Sequence, residues 1–190
     1  IYAANSFIKT QKIRASECRF DLIRIISSKS LGSKLVFQGS SGNSDGNEVS
    51  CAALSEDGEI LAIGNADGTV RLLDVISGKV LNVFDVHKAY IKSVALSPDG
   101  KILASGSTDG TVRLLNIISG KVFRVLEGHR GHVNTVVFSP NGKTLASGSS
   151  DDTFIIWDVV SGDMLSGAGR HKGHIDSVVF SPDGKTLAAG

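Results

Sequence analysis

The sequence predicts an all-β fold assembled from four-stranded antiparallel units, and three observations carry that prediction. A Ser-Pro-Asp-Gly-Lys segment recurs in close variants with its serine at Ser55, Ser97, Ser139 and Ser181, always 42 residues apart. Short runs of β-branched and aromatic residues alternate with Gly, Pro, Asn and Asp punctuation, at the spacing of a sheet made of short strands. No stretch carries the 3.6-residue apolar period of a helix. A fixed repeat of this length makes each unit bury its apolar face against its neighbours, so function has to be sought on the assembled surface.

The unit beginning at His129 is the best formed. Val133, Val136 and Phe138 lead into Ser139-Pro140-Asn141-Gly142, where Pro presets φ for a turn and Gly supplies the positive φ that closes it. Residues 145–149 form a second strand, and Asp151-Asp152 marks the next turn. The third strand, Thr153-Phe154-Ile155-Ile156-Trp157, has the residue types that suit a pleated, buried surface. Ser161-Gly162-Asp163 then turns into a fourth strand around Met164 and Leu165. The same grammar recurs in residues 49–84 and 91–126, with third strands at 69–73 and 111–115. Four-stranded units of this length match the blade of a β-propeller, in which radial repetition leaves only short, protected edges.

The expected organisation is a partial array of about four blades. Blades are placed at residues 49–90, 91–132 and 133–174, with an incomplete one at 175–190. Residues 1–48 read as a degenerate partial blade: 1–5 as a second strand, 6–19 as an inserted basic loop, and 20–27 with 34–38 as third and fourth strands. Two arrangements are open for the ends. The array is a fragment of a longer propeller, or its last two strands pair with the N-terminal strands to close a small ring, which would set Leu187 beside residues 22–26.

Composition narrows the function. A formal net charge of +1 gives no global attraction to nucleic acid or to a membrane surface. Basic residues concentrate in the first 40 positions, among them Lys9, Lys12, Arg14 and Arg19, and read as a solvated edge, with a contact for an acidic partner as the alternative. Cys18 and Cys51 are too few for a disulfide framework and form no Cys-x-x-Cys, which favours an intracellular, cytoplasmic setting with the nucleus left open. No apolar run approaches the ~20 residues of a membrane helix.

Leu126-Glu127-Gly128-His129 before the first strand, Ser-Pro-Asn-Gly after it, and Trp157-Asp158 at the end of the third strand resemble the WD-repeat family over residues 49–190. The resemblance implies a buried hydrogen-bonded set of a His, a Ser or Thr, an Asp and the Trp, which ties the loop leading into a blade to its central strands. By position these are His129, Ser147, Asp151 and Trp157. The preceding repeat keeps His87, Ser105 and Asp109 but has Leu115 in the Trp place, and the repeat before that keeps only Asp67, with Ile63 and Leu73 at the other places. The last keeps His171 and has Ala189 in the serine place. Asp109 is expected to find its donors in His87, Ser105 and the backbone of its own turn, since an unpaired buried group costs ~1–3 kcal/mol.

Catalytic signals are absent from this reading. The His-x-x-His pairs, His129 with His132 and His171 with His174, lack the further ligands a zinc site needs, and the first His of each is assigned to the buried set. Gly142-Lys143-Thr144 and Gly184-Lys185-Thr186 end like phosphate-binding loops, but Val137 and Val179 stand where the earlier Gly is required, and each segment joins two strands. No cofactor, metal or catalytic residue is assigned.

The resemblance also implies that partners dock on the face made by the loops leading into the first strands and by the second-to-third-strand turns. That face offers Tyr90, Lys92 and Thr108, then His132, Asn134 and Ser150, then His174 and Asp176. These positions vary between repeats while the framework does not, the pattern of a binding surface on a rigid scaffold. A Tyr, His, Asn and Thr set suits a protein or peptide better than a phosphate backbone. The expected function is a non-enzymatic scaffold for protein–protein interaction, part of a multi-protein complex or a larger chain. The alternatives are a sensing or autoinhibitory repeat domain of a signalling protein and, from another class, a propeller enzyme with a site in its central channel.

Overall fold

The computed structural model describes residues 9–13, 22–28, 32–38, 48–167 and 171–190, with side chains in the last two segments. Strands β1 (Lys9–Ile13), β2 (Leu22–Ser28) and β3 (Gly32–Gln38) form an antiparallel sheet in the order β1-β2-β3. Three four-stranded antiparallel meanders follow. The first comprises β4 (Val49–Leu54), β5 (Ile60–Asn65), β6 (Thr69–Asp74) and β7 (Val80–Asp85). The second comprises β8 (Ile91–Leu96), β9 (Ile102–Ser107), β10 (Val112–Asn116) and β11 (Lys121–Leu126). The third comprises β12 (Val133–Phe138), β13 (Thr144–Ser149), β14 (Phe154–Asp158) and β15 (Met164–Gly167). A two-stranded sheet of β16 (Val178–Phe180) and β17 (Leu187–Ala189) completes the described chain.

The first strands of successive sheets lie side by side, β4 against β8, β8 against β12 and β12 against β16, as the innermost strands of propeller blades do. The fold is therefore an all-β partial propeller. Its two largest core clusters lie between neighbouring sheets. Leu72, Phe84 and Val86 of the first meander meet Ile91, Val94 and Leu103 of the second. Val112, Leu114 and Leu126 meet Val133, Val136 and Trp157 one blade on. Close approach demands glycine at the joints: a Cβ on Gly106 would sit 2.6 Å from Val133 Cγ1.

The recurring turn explains its own conservation within the chain. In Ser97-Pro98-Asp99-Gly100-Lys101 the Ser97 hydroxyl donates to Asp99 Oδ1 at 2.6 Å and accepts from the Ile102 amide at 2.9 Å, while Lys101 N donates to Asp99 Oδ1. Gly100 takes φ 68°, where an L side chain is strained. Ser97, Asp99 and Gly100 are thus committed to building the turn.

At the ends, one expectation is corrected and one of the two open arrangements is not found. Lys9–Ile13, expected inside an inserted loop, is a strand paired with β2; residues 1–5 lie outside the described residues. Leu187 pairs with Phe180, and residues 22–26 are flanked by β1 on one side and β3 on the other. Both edges of β2 are hydrogen-bonded already, so no ladder is free for β17 to close a ring there.

Candidate functional site

Beneath the lead-in loop of the third meander, four side chains converge. His129 Nδ1 lies 3.2 Å from Asp151 Oδ2, and its Nε2 lies 2.8 Å from Ser147 Oγ. Trp157 Nε1 donates to the same Ser147 Oγ at 2.8 Å, and the His129 and Trp157 rings meet edge to face. Asp151 also accepts the Arg130 amide at 2.7 Å, the Thr153 amide at 3.0 Å and the Thr153 hydroxyl at 2.5 Å. The set spans a lead-in loop, a second strand, a turn and a third strand, and fastens them together.

The charges follow from these contacts. Burial pushes the Asp151 carboxyl up, but the Thr153 hydroxyl, the Arg130 amide and His129 outweigh it and hold the group down at about 2. Burial lowers His129 and His87 below the usual imidazole value despite the neighbouring carboxylates. Both rings are thus neutral at pH 7, with Nδ1–H aimed at a carboxylate and Nε2 accepting from a serine hydroxyl.

In the preceding meander His87 Nδ1 lies 2.9 Å from Asp109 Oδ2 and Nε2 lies 2.8 Å from Ser105 Oγ. Asp109 receives its other bonds from the Thr111 amide and hydroxyl at 2.9 and 2.7 Å. Ser105 bonds the far nitrogen of His87 rather than Asp109, which differs from expectation because the imidazole stands between the two. Leu115, in the Trp place, is fully buried against Leu103 and Val122. In the first meander Asp67 serves only its turn, accepting from Thr69.

His171 corrects a further expectation. Its side chain is exposed, and only its backbone is fixed, by the Asp152 carbonyl. With Ala189 in the serine place there is no hydroxyl to draw the ring inward.

Above this set lies the lead-in face. Tyr90 is 37% exposed, and Lys92, His132, His174 and Asp176 are exposed. His132 Nδ1 donates to the Thr108 carbonyl across the blade boundary at 2.8 Å, and Ser150 Oγ accepts the His132 amide at 2.8 Å. Lys92 Nζ donates to Asn134 Oδ1 at 2.9 Å, and Asn134 Nδ2 donates to Asp176 Oδ1 at 3.0 Å and to the Ile175 carbonyl at 3.2 Å. Asn134 and Ser150 are therefore framework rather than free contacts. Tyr90, Lys92, His132 and Asp176 keep unused hydrogen-bonding capacity.

Two features escaped the sequence reading. Thr69, Thr111 and Thr153 each donate a hydroxyl to the preceding Asp, and Asp-x-Thr at 42-residue intervals was the available signal. The first strands also carry β-bulges that leave Ser50, Lys92 and Asn134 without ladder partners. A bulge re-aims a side chain. Cys51 lies in the first of these strands, and burial pushes its thiol up to about 11, far from the thiolate a nucleophile needs.

Among the described residues no group of three or more His, Cys, Asp or Glu could hold a metal ion, and no helix is long and apolar enough to cross a membrane. The sequence pattern of the family described as WD domain, G-beta repeat matches residues 78–116, 120–158 and 167–190, more than half of the chain. The pattern described as Anaphase-promoting complex subunit 4 WD40 domain matches residues 21–95. No curated protein matches the chain. The first two matched repeats each run from the fourth strand of one sheet through the third strand of the next, so the sequence repeat is staggered against the sheets and links neighbouring blades covalently.

Proposed function

Because the chain belongs to the WD-repeat family, we propose that it is a non-enzymatic scaffold holding protein or peptide partners on its lead-in face. Repeats of this family generally mediate protein–protein interaction. The observation that carries the reading is the division of labour between two layers. His129, Ser147, Asp151 and Trp157 spend their polar groups on one another. Tyr90, Lys92, His132 and Asp176 sit above them, exposed, at positions whose residues change along the array: Glu48, Tyr90, His132 and His174 at one, Ser50, Lys92, Asn134 and Asp176 at the other.

A rigid lower layer presenting a variable upper one is the arrangement of a recognition surface. Mixed aromatic, imidazole and single charged groups favour a folded protein or peptide over a polyanion, which would call for several convergent cations. The similarity of residues 21–95 to a WD40 domain from a subunit of the anaphase-promoting complex supports membership of a multi-protein assembly. The free thiol of Cys51 supports an intracellular setting, cytoplasmic or nuclear.

Affinity capture tests the reading when the wild-type chain is compared with Tyr90→Ala/His132→Ala and with Lys101→Ala/Lys143→Ala, which alters the opposite turns. Loss of the same captured proteins from the first variant alone is expected. Equal recovery by all three chains would remove this face as the docking site.

A further inference from the structure

The lead-in face carries a polarised ladder that the repeat pattern alone does not explain. At equivalent positions of four successive blades stand Ser50, Lys92, Asn134 and Asp176. The first three are bulge residues, unpaired in their own sheets, and each bonds to the blade that follows. Ser50 Oγ donates to the Ile91 carbonyl, Lys92 to Asn134, and Asn134 to Asp176.

The carboxamide of Asn134 is oriented by its neighbours. Its oxygen faces the ammonium and its nitrogen faces the carboxylate, so the amide dipole complements both. It separates two opposite charges without neutralising either. Among the described residues neither Lys92 nor Asp176 has an ion-pair partner within 4.0 Å. Lys92 has donors to spare, and Asp176 has acceptor capacity to spare. Both are exposed. The Thr108 carbonyl can only accept, so His132 Nδ1 carries the hydrogen and the Nε2 edge of this exposed ring is left for a partner.

We propose that this ladder reads charge order in a bound peptide segment: an acidic group over Lys92, a hydrogen-bonding group over His132 and a basic group over Asp176. The inference rests on the lead-in face being the docking surface and adds the chemistry of its partner. Opposite charges held apart on one rigid edge set register and direction, because a segment bound in reverse places like charges together.

A displayed random-sequence peptide library tests it on three immobilised chains: wild type, Lys92→Glu/Asp176→Lys, and Tyr90→Ala/His132→Ala. In the exchanged pair a half-turn of the Asn134 amide restores the bonds to both charged partners and gives up the one to the Ile175 carbonyl, so circular dichroism and thermal unfolding verify the fold of each variant. Wild type is expected to select peptides with an acidic and a basic residue in one order. The exchanged variant is expected to select the opposite order and to bind the wild-type peptides about five- to tenfold more weakly, more so at low salt. Unchanged order in the exchanged variant, or wild-type peptides without a charge pattern, would overturn the proposal. If such charge-blind peptides are lost on Tyr90→Ala/His132→Ala, the docking face survives and only the charge reading falls. Peptides indifferent to all four substitutions would remove the face itself.

Discussion

The Ser147 hydroxyl is shared by two buried rings, lying 2.8 Å from His129 Nε2 and 2.8 Å from Trp157 Nε1. Proton directions follow from what each group can do. Asp151 can only accept, so His129 carries its hydrogen on Nδ1; Nε2 then accepts from Ser147, and Ser147 accepts from the indole N–H.

Ser147→Ala should therefore orphan two buried groups at once. Each unsatisfied group costs ~1–3 kcal/mol, so the expected loss is about 2–6 kcal/mol. Ser105→Ala orphans only His87 Nε2, because Leu115 makes no polar demand, and should cost about 1–3 kcal/mol. Denaturant unfolding of the two variants checks the order; a larger loss for Ser105→Ala would contradict it.

Acid should weaken the fold in two stages. His87 and His129 have folded pKa values below the 6.5 of the free side chain, so the unfolded chain binds more protons as pH drops. Their contribution is complete above about pH 6.5 and is lost as pH falls through the folded values. Asp151, held at about 2 against an ordinary 3.8, adds a second loss below pH 4. Unfolding free energy measured from pH 8 to pH 3 should fall with each stage, and His87→Gln/His129→Gln should flatten the upper one.

Asp152 adopts φ 67° in the turn where Gly68 and Gly110 take 86° and 82°. Asp tolerates the left-handed region at a cost that glycine does not incur. Asp152→Gly is expected to stabilise the chain by about 0.5–1 kcal/mol, read as a rise in thermal midpoint.

Gly106→Ala should act in the opposite direction. The new methyl meets Val133 Cγ1 at 2.6 Å inside the joint between two blades, where neither sheet can retreat alone. Overfilling of this kind costs ~1–3 kcal/mol, and equilibrium unfolding measures it.

The contrast between Asp99 and Asn134 shows which parts of the molecule were legible in the sequence. Asp99 makes its side-chain hydrogen bonds within a few residues, so Ser-Pro-Asp-Gly-Lys declares its own turn, and with it the strand boundaries and the 42-residue blade. The buried set was also accessible, because its members keep constant offsets from one repeat to the next. Asn134 bonds residues 41 and 42 positions away through a bulge, and nothing in its local sequence separates a structural ladder from a free contact. His171 failed for a related reason: a position in a motif does not bury a side chain when its hydroxyl partner is replaced by Ala189. Lys9–Ile13 escaped because Lys-Thr-Gln-Lys-Ile lacks the apolar alternation that marks a half-buried strand.

The most direct measurement of the scaffold reading is cross-linking of the chain to a captured protein partner with a lysine-reactive reagent, followed by site identification. Lysines mark the two ends of the blades: exposed Lys88, Lys92 and Lys172 on the lead-in side, and exposed Lys101, Lys143 and Lys185 in the opposite turns. Cross-links concentrated at Lys88, Lys92 and Lys172 are the predicted result. Cross-links concentrated at Lys101, Lys143 and Lys185 would contradict it.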